Sequence, residues 1–316
     1  MTELANFSVP HASLDEGDSA PPPPPPAIVD VATSESQATT APPEPHVRIR
    51  PENAWSMLDL RELWQFRDLM RSLAMRDVKL RYRQTALGVI WVLFQPLLGA
   101  GIFAVVFGLI TKTPTFGTPH FLFAYGGMLM WNAFSGTLSK ASTSLIGNTQ
   151  LVSKVYFPRL ILPLSTAMST VIDFVIALAL LFVLMPMFGI RSSTAILTLP
   201  LWFGFMVLLG MGLGLFCAAM TVSYRDVQYI IPVLLPFLLY ASPVGYSINL
   251  VPHKLKLWFH LNPMTALLEA SRWALFTTEG SPSWRAVIYS ILVTIGIFML
   301  GASVFVRMER KFADVI

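Results

Sequence analysis

The chain has 316 residues, of which 54% are hydrophobic and only 13% charged, with 22 Lys and Arg against 18 Asp and Glu. A soluble domain carries about 25% charged residues, so the composition excludes an ordinary soluble fold and makes lipid the solvent for most of the chain. The basic residues flank apolar segments instead of forming one patch, which argues against a nucleic-acid surface, and the lone cysteine, Cys217, excludes an intrachain disulfide.

Residues 1–52 are a different material from the rest. They hold six consecutive prolines, Pro21–Pro26, with more at Pro42, Pro43 and Pro45, among many Ser, Thr and Ala. Such a segment buries too little apolar area to offset its ordering entropy. It reads as a disordered cytoplasmic tail with a polyproline II stretch, which an SH3-like partner could dock on. It has no apolar core flanked by basic residues, so no signal peptide is expected.

Residues 53–84 predict an amphipathic helix. Ser56-Met57-Leu58-Asp59 matches a capping box. Arg61, Gln65, Asp68, Ser72, Arg76 and Lys79 then mark one face, and Leu63, Phe66, Met70 and Leu73 the other. A basic amphipathic helix placed just before a membrane span is expected in the headgroup region.

Residues 85–316 predict an all-α polytopic membrane domain of six spans. They cover roughly Leu87–Ile110, Phe121–Leu138, Leu160–Met187, Ala195–Val222, Tyr229–Tyr246 and Ala286–Val306. Each is near the ~20 residues needed to cross a bilayer core of about 30 Å. Pro96, Gly99 and Gly101 are expected to bend the first. Gly210, Gly212 and Gly214 give the fourth a face for close helix packing. The fifth carries Pro232, Pro236 and Pro243. Before the last span, Asn262-Pro263 starts a helix to about Phe276, too short to cross and therefore re-entrant or on the outer surface. With six spans, sixteen of the 22 basic residues fall on the side of the termini and six on the other, which places both termini in the cytoplasm.

The sequence lacks a phosphate-binding G-x-x-x-x-G-K-[ST] loop and any spacing typical of metal ligands. No catalytic residues are expected. His253 and His260 read as interfacial residues, and Trp91, Trp202, Trp258 and Trp284 as interfacial anchors. Asp173, deep in the third span, is either a structural hydrogen-bonding group or a functional one facing water. Glu269 and Arg272 could form a local ion pair or touch substrate. Phe94, Trp131, Phe134, Phe237 and Tyr240 would matter if they faced a pore, because sugar rings pack their C–H faces on aromatic planes.

The segment Arg81-Tyr82-Arg83-Gln84-Thr85-Ala86-Leu87-Gly88-Val89-Ile90-Trp91, with Phe94-Gln95-Pro96-Leu97, resembles the approach to the first span of type-2 ABC export permeases. These are the membrane subunits of polysaccharide exporters. The resemblance recurs at Gly147-Asn148, Leu151–Arg159, Tyr224-Arg225-Asp226-Val227, Ala241-Ser242-Pro243-Val244 and Leu261-Asn262-Pro263. It implies a homodimer in the bacterial inner membrane, served by two copies of a separate ATPase that holds ATP and Mg, so that this chain is not itself an enzyme. It implies ATPase contacts over residues 57–80 and 145–159, including Arg76, Asp77, Lys79, Arg81, Asn148, Lys154, Tyr156 and Arg159. It also implies an outer gate at Asn262, Glu269 and Arg272, and a channel lined by aromatic residues. The implied cargo is a lipid-linked polysaccharide, O-antigen being favoured over capsule or teichoic acid. A drug or small-lipid exporter on the same fold is the alternative, and a non-ABC membrane scaffold a further one.

Overall fold

Among the described residues, four helical stretches are long and apolar enough to cross a membrane: Val92–Ile110, Ile161–Met187, Thr194–Ser223 and Trp284–Glu309. The computed structural model describes residues 60–83, 89–111, 117–278 and 280–315. Among these the regular elements are all helical, and the one strand-like contact is an isolated antiparallel bridge between Ser192 and Phe276. The proline-rich residues 1–52 and the Ser56–Asp59 box lie outside the described residues.

Helices α1 (Leu60–Gln65) and α2 (Arg67–Arg83) are separated by a turn at Phe66. Helix α3 (Val89–Phe103) contains Pro96, which lacks the N–H for a ladder bond, and it continues as a π-helix over Ala104–Ile110. Helix α4 (His120–Thr143) is long but falls short of the four in apolar character. It carries Gly126, Gly127, Asn132, Ser135, Gly136, Thr137 and Lys140, yet most of it is buried. The short α5 (Thr149–Lys154) precedes α6 (Ile161–Met187), whose limits match the apolar run in the sequence. A 3₁₀ turn over Thr194–Thr198 leads into α7 (Leu199–Ser223).

Helix α8 (Val227–Ala241) has 15 residues and stops before the expected limit of Tyr246. The cause is Pro243, because a residue before proline is forced toward extended backbone, and Ser242 adopts φ −113°, ψ 140°. Helices α9 (His253–Leu261) and α10 (Pro263–Leu275) follow. Helix α11 (Trp284–Val315) extends beyond the expected Ala286–Val306 at both ends.

Helices α4 and α7 form the centre of the bundle, with α6, α10 and α11 packed around them. Packing here depends on close approach, because lipid is as apolar as leucine and gives helices little hydrophobic reason to associate. The glycines of α7 supply that approach. A Cβ on Gly212 would lie 2.7 Å from Phe298 Cα, and one on Gly301 would lie 2.0 Å from the Gly212 carbonyl oxygen.

One apolar cluster fills the middle and the α10 end; a second joins α2 to the opposite end. The second gathers Leu73, Leu145, Phe157, Ile161, Leu215 and Phe305 into one cluster, with Leu63, Phe66 and Met70 packed against it. Gln65, Asp68, Ser72, Arg76 and Lys79 are exposed, as the face pattern predicts. No soluble domain is visible in the sequence for the apolar face of α2 to cover; the end of the bundle takes that place. Trp202 also departs from expectation. It is buried, and its indole N–H donates to the Thr198 hydroxyl at 2.9 Å, whereas Trp258 and Trp284 are exposed.

Candidate functional site

Three arrangements of polar residues interrupt the apolar bundle, one at each end and one between. At the α2 end, the Arg76 guanidinium donates to the Asn148 carboxamide oxygen at 2.7 Å and to Asp77 at 2.9 Å. The Asn148 amide donates in turn to the Ser144 carbonyl at 2.9 Å. This links α2 to the connection between α4 and α6. The same connection is fastened to α11: the Arg159 backbone N–H donates to the Glu309 carboxylate at 3.0 Å, and its guanidinium to the Glu309 carbonyl at 2.9 Å. Glu309 had no signal in the sequence, since its partner is 150 residues away. Between these two joints, α5 and the residues after it stand in solvent. Lys154 is exposed and Tyr156 is 91% exposed, while Val152 and Phe157 anchor the segment underneath. Lys79 shares the exposed face of α2; the Arg81 side chain lies outside the described residues.

Between the ends, Asp173 sits about 18 Å along α6 at 1.5 Å per residue. It accepts a 3.0 Å hydrogen bond from the Lys140 ammonium of α4, which also donates to the Ser169 hydroxyl at 2.9 Å. An intramembrane carboxylate is costly alone, and here it is matched by a lysine that basic-residue counting places in a loop. The pair borders a cavity of about 110 Å³ with Gln95, Asn132, Ser135 and Thr170 in its wall.

At the α10 end, the Asn262 carboxamide oxygen accepts from the Met264 N–H at 3.0 Å, an N-cap on a helix with proline at its first position. The Asn262 amide donates to the Ser242 hydroxyl at 2.9 Å, so the cap also fixes the turn after α8. Arg272 is 3% exposed. One guanidinium nitrogen donates to the carbonyls of Pro243 and Val244, both at 2.6 Å, and the guanidinium carbon lies 3.9 Å from the Phe123 ring centre. Glu269 and Arg272 border a second cavity, of about 220 Å³.

The aromatic residues singled out in the sequence separate into two groups. Trp131 and Phe134 pack on each other with ring centres 5.5 Å apart inside the core, so neither lines a surface of the chain. Phe94, Phe237 and Tyr240 are exposed on α3 and α8. Tyr240 belongs to a run of rings that sequence reasoning missed. Phe103 lies 6.2 Å from Tyr240 and 5.9 Å from Phe107, which lies 5.3 Å from Tyr246. The π-helical end of α3 brings these rings together with the turn after α8, a juxtaposition with no local sequence signal.

Among known families, the model described as ABC-2 type transporter matches residues 68–276, which take in α2 to α10. The chain belongs to the ABC-2 type transporter family. This ABC-2 chain is similar to the O-antigen export system permease protein RfbA of Myxococcus xanthus, at 28% identity over 257 residues, 81% of this chain and 98% of the relative. It is 24% identical to a Klebsiella pneumoniae protein of the same name over 253 residues, 79% of this chain and 95% of the relative. With the polysialic acid transport protein KpsM of Escherichia coli it shares 23% identity over 239 residues, 72% of this chain and 90% of the relative. The ABC-2 match thus covers the joint at Asn148, the Lys140–Asp173 pair and the α10 end, and stops short of α11 and Glu309.

Proposed function

We propose that this chain is the membrane subunit of an ABC exporter that moves a lipid-linked polysaccharide, with O-antigen as the favoured cargo. The observation that carries the reading is similarity along nearly the whole length of O-antigen export permeases, up to 98% of one relative. In this reading α3, α4, α6, α7, α8 and α11 make six crossings of the inner membrane, with both termini cytoplasmic. Helices α1 and α2 lie at the cytoplasmic interface, where the basic excess collects. ATP and Mg are held by a separate ATPase, two copies of which serve a permease homodimer, and this chain has no catalytic site of its own. The exposed aromatic residues Phe94, Phe237 and Tyr240 support a channel-facing surface on α3 and α8.

Deleting the gene is expected to remove the polysaccharide from the cell surface and to leave its lipid-linked form inside, measured by extraction and mass spectrometry of the glycolipid. Unchanged surface polymer would overturn the assignment.

The ATPase is expected to dock on α5, Lys154 and Tyr156, with force passing to the bundle through the Arg76–Asn148 joint. An exposed charged pair such as Arg76–Asp77 adds about 1 kcal/mol or less to stability, so Arg76→Ala is expected to leave the fold intact. It should cut surface polymer several-fold while the ATPase still copurifies. Export at the normal rate would show that the joint carries no coupling.

A further inference from the structure

The cavity of about 220 Å³ at the α10 end has a lining unlike its surroundings. Four segments build it: α4 at Phe123, the residues before α9, one side of α10, and the approach to α11. Its polar wall includes Ser247, Asn249, Glu269 and Ser283, and Phe123 and Ile248 supply an apolar wall. Arg272 is at its edge but is held by the main chain, with one nitrogen on two carbonyls and the guanidinium over Phe123. Arg272 therefore contributes fixed positive charge near Glu269, with one of its nitrogens committed to the main chain.

Chemistry narrows the occupant. A phosphate or other anion would face the Glu269 carboxylate in the same wall, and the Arg272 nitrogen on the Pro243 and Val244 carbonyls is already committed. A metal ion needs several ligands, and among the described residues no group of three or more His, Cys, Asp or Glu comes together. What remains is one carboxylate, one carboxamide and several hydroxyls facing an apolar wall. A sugar ring suits that combination. Its hydroxyls donate to a carboxylate and accept from amide and hydroxyl donors, and its C–H face lies against apolar carbon. The volume is below the ~300 Å³ at which sites for drug-sized ligands begin, which suits a single ring and not an oligomer.

We propose that this cavity is a binding site for one sugar residue, placed where a polysaccharide would leave the bundle. The proposal rests on the exporter reading for its source of sugar, and on the lining alone for its chemistry. A site of this kind would hold the emerging chain briefly and disfavour backward slippage, so millimolar affinity suits it better than tight binding.

The test is saturation-transfer NMR on the full-length permease in lipid nanodiscs, with the methyl glycosides of glucose, galactose, mannose, rhamnose and N-acetylglucosamine as probes. At least one glycoside is expected to receive saturation. The signal should fall at least tenfold in Glu269→Gln and in Asn249→Ala, and persist in Lys154→Ala at the opposite end of the bundle. Asn249 is exposed, so its substitution tests the site without loss of fold. No transfer to any glycoside, or transfer unchanged in both variants, would overturn the site. The two readings fail separately: absence of sugar binding with loss of surface polymer on gene deletion removes only the site. Binding that depends on Glu269, with surface polymer unaffected by deletion, keeps the site and removes the exporter assignment.

Discussion

Arg272→Ala is expected to be the most damaging single substitution in the far half of the bundle, lowering stability by about 3–5 kcal/mol. Arg272 satisfies the carbonyls of Pro243 and Val244 in the turn where α8 gives way to the outer segments. Without it both acceptors are left without that donor, at about 1–3 kcal/mol each, and the contact with Phe123 is lost as well. Relaxation is blocked from the other side. A Cβ on Gly127 of α4 would lie 2.0 Å from the Val244 oxygen and 2.8 Å from the Arg272 nitrogen, so the turn already sits against bare backbone. The apparent unfolding midpoint of the purified protein, at a fixed heating rate, should drop by on the order of 10 °C. Arg272→Lys keeps the charge but not the planar guanidinium, whose one nitrogen spans both carbonyls and whose carbon lies over Phe123, and should fall between the two. A midpoint for Arg272→Ala within 2 °C or so of the parent would show that the turn is held by other means.

The second large effect is expected at Asp173. Asp173→Ala takes away the carboxylate that faces the Lys140 ammonium, at a cost of about 2–3 kcal/mol. Lys140→Met should cost a similar amount for the converse reason. The double variant, Lys140→Met with Asp173→Met, removes both charges together and should lie within about 1 kcal/mol of the parent. That non-additivity is the signature of a coupled pair. Strictly additive losses would mean that each residue is held by its own surroundings. Polymer export by the double variant then separates the part the pair plays in stability from any part played by the cavity it borders.

The frame of the molecule was legible where sequence signals were local. The limits of α6 follow from an apolar run that starts just after Pro158-Arg159 and ends before Gly189. The start of α10 follows from Asn262-Pro263, a cap and a first-turn proline in adjacent positions. The two faces of α2 follow from helical spacing. The site was less legible because its partners are distant. Lys140 and Asp173 are 33 residues apart, and Arg76 and Asn148 are 72 apart. These pairs depend on how two helices are turned toward each other, which no window of sequence holds. Aromatic residues posed a different difficulty. Trp131 and Phe237 sit in equally apolar surroundings in the sequence, and nothing there separates a side chain against protein from one against lipid or a channel. The structure encloses the first and exposes the second.

Helix α4 meets protein over most of its length, and it is less apolar than the four helices that qualify as spans by themselves. In the proposed six-crossing arrangement, such a helix has little reason to leave an aqueous insertion channel alone. Its glycines, Asn132 and Lys140 become acceptable in lipid only once neighbours surround them. In that arrangement α3 is expected to enter the bilayer first, and α4 to follow once α6 brings Asp173 to Lys140.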